Sequence, residues 1–155
     1  MMRLSPNRML LAAAAAIAAT ALGGCASSRE AIGDGPQYPP VRQSRVIDVQ
    51  VLRDETKISM TNTTAANLPA GLLWINGWFS RKFDGLAIGQ TVTFGLDEFE
   101  DRYGDAFRAG GFFATELPDR VVLAQLQPVA EAQNNAEPSG MKQELIGLVV
   151  IRPVE

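Results

Sequence analysis

Apolar and polar residues alternate with a period of two over three short stretches in the middle of the chain. Residues 46–52 and 57–62 show this alternation, with Asp54 and Glu55 between them, and residues 90–96 show it again. Such alternation places successive side chains on opposite faces, as in a strand with one buried face. We therefore predict a β-hairpin over the first two stretches and a further strand at the third.

Two other stretches are apolar along most of their length. Residues 120–127 and 144–151 have this composition, which is typical of central strands that are buried on more of their surface. Residues 112–115 predict a short strand, which a turn at residues 116–119 would join to the stretch that follows. Residues 130–140 are polar and contain Asn, Pro and Gly, so we expect an exposed loop there.

Seven or eight short strands separated by turn residues, with little helix, predict an all-β domain. The number and spacing favour a small antiparallel β-sandwich of immunoglobulin-like size over a small barrel. A Thr/Asn-rich turn after residue 60, the pair Leu73-Trp74 and the run Gly89-Gln90-Thr91 resemble small immunoglobulin-like domains of bacterial envelope proteins. This resemblance implies a fold and carries no particular activity.

The N-terminus has the organisation of a bacterial export signal. Arg3 and Arg8 precede an uncharged apolar run at residues 9–22, which is shorter than the roughly 20 residues of a membrane-spanning helix. The run ends in Leu22-Gly23-Gly24-Cys25, which resembles the lipobox of bacterial lipoproteins. The resemblance implies a diacylglyceryl group on the thiol of Cys25, cleavage directly before it, and acyl chains such as palmitate as a membrane anchor.

Two other fates of the N-terminus stay open on sequence grounds. Ala19-Thr20-Ala21 fits an ordinary signal peptidase, which would leave Cys25 as a free thiol, and the apolar run could also remain as an uncleaved anchor. We favour lipidation because Cys25 is the only cysteine of the chain. Ala26 follows it in place of aspartate, which by the sorting habit of enteric bacteria favours the outer membrane, facing the periplasm.

The segment after Cys25 lacks apolar periodicity. Residues 26–45 are rich in Ser, Gly, Pro and charged side chains, as in a flexible, disordered linker. The sequence therefore divides into a signal peptide at residues 1–24, a lipidated N-terminus and linker at residues 25–45, and a β-sandwich domain at residues 46–155.

Composition excludes several classes of chemistry. The chain has no histidine and one cysteine, so His-dependent acid–base catalysis, Cys-His pairs and the usual zinc sites are absent. Removal of Arg3 and Arg8 with the signal peptide lowers the net charge from −3 to −5, which does not suit nucleic acid. The glycine-rich run from Arg108 to Phe112 lacks the P-loop lysine and the dinucleotide spacing, so we expect no cofactor there but a turn or bulge leading into a strand.

Residues 72–83 contain both tryptophans, Trp74 and Trp78. In a single extended strand both indoles would share one face and could form a platform that stacks on sugar rings. A type I′ turn at Asn76-Gly77 would instead make a hairpin with Trp74 opposite Phe79. We favour a tryptophan packed in the core over an exposed platform, because burying an indole is strongly favourable.

Residues 97–105 hold five carboxylates, which makes Asp97, Glu98 and Asp101 candidate ligands for a hard cation such as Ca²⁺. The spacing does not match an EF-hand loop. A pair of acids for glycoside hydrolysis is a further reading, and it requires two carboxylates facing each other across a cleft.

A structural interpretation of the same acidic stretch is a single helical turn within a loop. Phe99 and Tyr103 would then face the core at a spacing of four residues, and the acids would face water. We favour this interpretation over metal binding and over hydrolysis.

The leading functional hypothesis is a non-catalytic, lipid-anchored envelope module that binds a protein or cell-wall partner. Its alternatives are a carbohydrate-binding module that uses Trp74 or Trp78 and a carboxylate-dependent glycan hydrolase. No catalytic residue can be assigned from the sequence.

Overall fold

The computed structural model describes residues 33–130, 140 and 142–151, and these form an all-β unit. The prediction of an all-β class is thereby confirmed. The predicted signal peptide, Cys25 and most of the polar loop at residues 130–140 lie outside the described residues. In the described part, the strands are β1 (Gln43–Asp54), β2 (Lys57–Asn62), β3 (Gly71–Ile75), β4 (Phe79–Phe83), β5 (Thr91–Gly95), β6 (Ala124–Pro128) and β7 (Leu145–Ile151).

All seven of these strands belong to one sheet, in the order β4-β3-β6-β7-β1-β2-β5. The first and last strands, β1 and β7, pair in parallel, and the other neighbours are antiparallel. The sheet is therefore single and mixed, which differs from the expected pair of antiparallel sheets. Alternation of apolar and polar residues shows that a strand buries one face, but it cannot show which strand lies next to it. Here the β1–β7 pair joins the group β4-β3-β6-β7 to the group β1-β2-β5.

The sheet is curled so that side chains of its two edge strands, β4 and β5, contact each other. The guanidinium of Arg81 on β4 lies 3.8 Å from the ring centroid of Phe94 on β5, and the rings of Phe83 and Phe94 are 6.4 Å apart in an edge-on arrangement. The concave face encloses the main core, whose fully buried members include Val49, Val51, Ile58, Met60, Leu73, Ile75, Leu96, Phe99 and Leu126.

The first hairpin confirms the sequence prediction. β1 and β2 pair antiparallel from Val49↔Asn62 to Asp54↔Lys57, with Glu55 at φ 49° in the turn. Asn62 ends β2 and donates to the carbonyls of Ala66 and Leu86, which fixes the loop that follows.

The second hairpin forms at Asn76-Gly77 with a register one residue away from the expected one. Asn76 and Gly77 have φ of 55° and 67°, and the N–H of Trp78 donates to Ile75 over 3.1 Å. Ile75 pairs with Phe79, so Trp74 lies opposite a serine and Trp78 stays outside the ladder. The extra residue in the loop places the two indoles in different environments.

Residues that the sequence assigned to the linker pack on the convex face of the sheet. Tyr38 and Val41 cover a second cluster formed by Leu72, Trp74 and Leu145. Together with the curled core on the other face, this layer buries every residue of β3 and β6. The ordered unit therefore includes residues well before position 46, and β1 itself begins at Gln43.

Residues 112–115, predicted as a strand, lie in a loop. The preceding glycines, Gly110 and Gly111, have φ of 84° and 122°, which turns the chain away from the sheet and leaves no neighbouring strand to pair with. The strand predicted at residues 120–127 begins at Ala124, so only its second half joins the sheet.

The strand directions define two ends of the sheet. One end, named here the apolar end, carries the β1–β2 turn, the β3–β4 turn and the start of β6. The opposite end carries the end of β2 and the starts of β1 and β7. Over the residues that the structure describes, no helix is long and apolar enough to cross a membrane.

Candidate functional site

Large apolar side chains are exposed at the apolar end of the sheet. Phe112, Phe113 and Leu117 are 95%, 91% and 87% exposed. Trp78 and Val122, at the same end, are each more than half exposed. Exposed apolar residues are common singly, but a group at one end of a small domain is a candidate interaction surface.

The three most exposed residues belong to one loop, residues 108–119, named here the Phe loop. Its two ends are held together by Arg53 on β1, whose Nη2 donates to the carbonyl of Ala109 over 2.7 Å and whose Nη1 donates to that of Asp119. Burial lowers the pKa of Arg53, and the charge of Asp119 acts in the opposite direction. The guanidinium remains charged, since arginine titrates far above neutrality.

Two ion pairs within the Phe loop also hold its ends together. Arg108 contacts the carboxylates of Glu116 at 2.5 Å and Asp119 at 2.9 Å, and the N–H of Asp119 donates to the carbonyl of Arg108. The hydrogen bonds that the guanidinium of Arg108 donates to Asp119 and Glu116 raise the pKa of Arg108. The loop therefore has a tied base, which limits how far its tip can move.

The tip of the Phe loop is apolar and uncharged. The rings of Phe112 and Phe113 are perpendicular with centroids 5.0 Å apart, and a turn closed by the N–H of Ala114 on the carbonyl of Gly111 projects them outward. From Ala109 to Thr115 the sequence contains no charged residue. Burying a phenylalanine contributes about 1.5–3 kcal/mol, and this domain leaves two of them in water.

The chain between the Phe loop and β6 is held by Asn76 in the β3–β4 turn. The Asn76 Oδ1 accepts the N–H of Val122 at 2.9 Å, and its Nδ2 donates to the carbonyl of Arg120 at 2.8 Å. The same side chain therefore places Val122 next to the turn that carries Trp78. The sequence analysis assigned no role to Asn76 beyond the turn.

The two tryptophans do not form a paired platform. Trp74 is 1% exposed, donates from Nε1 to Oε1 of Gln127 over 2.9 Å, and meets the ring of Tyr38 edge-on at 5.3 Å. Trp78 is 53% exposed, and its Nε1 donates to Oδ2 of Asp101 over 3.2 Å. Of the two tryptophans, Trp78 alone is exposed enough to contact a ligand.

The candidate metal ligands do not converge. Asp97 and Glu98 belong to a single 3-10 turn, where Glu98 accepts the N–H of Gly95 and pairs with Arg81 at 2.5 Å. Asp101 points into its own loop. In the ranges that the structure describes, no three His, Cys, Asp or Glu side chains are arranged to hold a metal ion.

Asp101 organises the loop next to Trp78. Its Oδ1 accepts the N–H groups of Tyr103 at 2.8 Å and Asp105 at 3.0 Å. Loss of hydration would raise the pKa of the Asp101 carboxyl, but the hydrogen bonds from Asp105, Tyr103 and Trp78 outweigh it, and the pKa lies below its ordinary value. Phe99 is buried as expected, whereas Tyr103 is 53% exposed and does not face the core.

Two grooves do not supply a pair of facing carboxylates. A groove of about 510 Å³ at the opposite end is lined by residues that include Arg45, Ile47 and Lys142, and Glu144 is the one acid among its described lining residues. A second groove of about 540 Å³ lies between the Phe loop and the β1–β2 turn, with Glu55 as its one acid. Among the residues that the structure describes, neither groove has the two facing carboxylates needed for glycoside hydrolysis.

Comparisons with protein-family models, with curated proteins and with solved structures gave no match. The architecture of the described residues is a curled seven-stranded mixed sheet with an apolar end. Sequence reasoning missed the Phe loop as a site. The available signal was Phe112-Phe113 between a glycine pair and the acid Glu116, a pattern that also fits a short strand.

Proposed function

We propose that the chain is a non-catalytic binding module of the bacterial cell envelope, anchored by lipid on Cys25. The single observation that supports binding is the Phe loop, whose apolar tip is exposed while its base is tied by Arg53 and Arg108. A loop held in this way has already lost much of its conformational entropy in the free protein. Binding a partner at the tip therefore costs less ordering entropy, and more of the contact energy appears as affinity.

The lipobox Leu22-Gly23-Gly24-Cys25 supports the anchor, and with two or three acyl chains the attachment would be stable. Gly33 is eight residues after Cys25 and already packs beside the backbone of Arg102. Eight residues span at most about 28 Å, so the lipid keeps the domain close to its membrane. The proposed location is the outer membrane, facing the periplasm.

The chemistry of the exposed side chains of the Phe loop favours an apolar acceptor. Phe112, Phe113 and Leu117 offer aromatic and aliphatic surface, with few groups that could hydrogen-bond the hydroxyls of a glycan strand. Of the protein and cell-wall partners expected from the sequence, this favours a surface that accepts hydrocarbon.

Carbohydrate binding is a second candidate function, and it rests on Trp78. Its exposed indole is fixed by Asp101, as in sites where an aromatic ring stacks on a sugar. Titration with soluble peptidoglycan fragments should then change the fluorescence of Trp78, and Trp78→Phe should abolish the change. A flat titration would remove this candidate.

In-cell photo-crosslinking tests whether the Phe loop is the binding surface. A photoreactive phenylalanine analogue at position 112 should give reproducible adducts with protein or lipid. The matched control is position 88, because Ile88 is 56% exposed and lies beside Asn67 at the opposite end. Equal labelling at both positions, or none at position 112, would contradict the proposal.

A further inference from the structure

We infer that the acceptor of the apolar end is the bilayer that holds the protein's own acyl chains, with Phe112, Phe113 and Leu117 inserted at its surface. This inference rests on the proposed function, since it requires the lipid on Cys25. It goes further by naming the partner and by fixing which end of the domain faces the membrane.

The path of the N-terminal segment is the first argument. The N–H of Gly35 donates to the carbonyl of Arg102 over 3.0 Å, and the ring of Tyr38 lies against Gly77 in the β3–β4 turn. Both contacts lie at the apolar end of the sheet. Gly33, the first residue that the structure describes and the eighth after Cys25, therefore lies at the same end that carries the Phe loop.

The shape of the tip is the second argument. Phe112 and Phe113 are more than 90% exposed, so these two side chains protrude from the tied loop and contact little of their own domain. A protein partner would need a cleft that fits this protrusion, whereas the surface of a bilayer accepts apolar protrusions of any outline. Trp78 also suits this location, because tryptophan is enriched at membrane interfaces.

The distribution of charge is the third argument. The tip, residues 109–115, carries no charge, so inserting Phe112 and Phe113 would not take an ion out of water, and the acid beside Leu117, Glu116, is paired with Arg108. The ions at the base are paired, since Arg108 binds Glu116 and Asp119. The carbonyls of Ala109 and Asp119 already accept hydrogen bonds from Arg53, which lowers the cost of bringing the base near the lipid headgroups.

Quenching by brominated lipid tests the inference on the complete lipidated protein. The protein is reconstituted in vesicles of phosphatidylethanolamine and phosphatidylglycerol with bromine on the acyl chains. Phe113→Trp is compared with Ile88→Trp, both in a Trp78→Phe background, so that buried Trp74 adds the same signal to each. Both probe sites are exposed, and Leu117→Trp is a second probe if Phe113→Trp does not fold.

We expect strong quenching and a blue shift of emission for Phe113→Trp and neither change for Ile88→Trp. Emission typical of water at both sites, or equal quenching at both, would overturn the inference. If position 112 crosslinks to a protein in cells while Phe113→Trp is not quenched, the bilayer inference fails but the binding function stands. If the purified protein lacks acyl chains, the inference and the proposed anchor fail together.

Discussion

Replacing Tyr38 by alanine tests whether the N-terminal segment is part of the folded domain. Tyr38 lies in a stretch whose composition predicts a linker, yet its ring meets Trp74 at 5.3 Å and its hydroxyl donates to Oε1 of Gln125 over 2.7 Å. Gln125 in turn donates to Oε1 of Gln43. Removing the ring would uncover one side of Trp74 and leave an acceptor on Gln125 without its donor.

The magnitude follows from these contacts. An edge-on aromatic pair contributes about 0.5–1.5 kcal/mol beyond its buried area, and an acceptor left unpaired costs about 1–3 kcal/mol. Tyr38 is only partly buried, so its lost area adds less than a full core truncation. We expect Tyr38→Ala to lower the free energy of unfolding by about 3 kcal/mol, and Tyr38→Phe by about 1 kcal/mol.

Urea denaturation followed by tryptophan fluorescence measures this loss, because Trp74 is directly beside the substitution. With a slope of about 2 kcal/mol per molar urea, the midpoint of Tyr38→Ala should fall by about 1.5 M. Gln37→Ala is the matched control at an exposed neighbour and should stay within about 0.5 kcal/mol of wild type. If Tyr38→Ala behaves like the control, residues 33–42 are not part of the domain.

Three further predictions concern the loops and the sheet. Asp101→Asn should lower the melting temperature at pH 7. The pKa of Asp101 is lower in the folded protein than in the unfolded chain, so its carboxylate adds to the free energy of unfolding in full above about pH 3.9, the ordinary pKa of aspartate. This stabilisation is lost as the pH falls through the folded pKa. The difference in melting temperature between Asp101→Asn and wild type should therefore shrink at low pH. Arg53→Met should speed chymotrypsin cleavage in the Phe loop at least about tenfold, since it removes both charged hydrogen bonds to the loop and losing even one of them costs about 1.5 kcal/mol. Gly71→Ala should cost about 3 kcal/mol in urea denaturation, because a Cβ there would overlap the carbonyl oxygen of Gln127.

Each of these has a control and a result that would count against it. A difference between Asp101→Asn and wild type that is constant from pH 7 to pH 3 would mean that its carboxylate is not the stabilising group. Arg120→Met removes the same charge from an exposed site, so equal cleavage of both arginine variants would contradict the role of Arg53. Gly89→Ala is the control for Gly71→Ala: Gly89 has a positive φ of 72° but open space around the position of a Cβ. This substitution should lower the free energy of unfolding by only about 1–2 kcal/mol. A larger loss there than at Gly71 would contradict the packing argument.

Local patterns predicted the strands well where burial follows a simple period. The hairpin of β1 and β2 and the strand β5 match their alternating stretches, and the apolar stretch at residues 144–151 is β7 in the interior of the sheet. The parallel pairing of β1 with β7 could not be predicted, because the residues that it pairs are about a hundred positions apart in the sequence. Only that pairing makes one curled sheet out of two groups of strands.

The candidate site was less predictable because it depends on what surrounds each side chain. Phe112 and Phe113 have the composition of a strand, and only the lack of a neighbour and the turn at Gly110-Gly111 leave them exposed. The difference between Trp74 and Trp78 depends on one extra residue in a turn. Such a one-residue change in register moves a side chain from one face to the other.

The intact mass of the protein from the membrane fraction, wild type beside Cys25→Ser, tests the central claim most directly. The account predicts a chain that begins at Cys25 and carries the added mass of its acyl chains, and it predicts that Cys25→Ser loses this mass and leaves the membrane fraction. An unmodified chain cut near Ala21 would contradict it, because neither the anchor nor the orientation of the apolar end toward the bilayer would then have support.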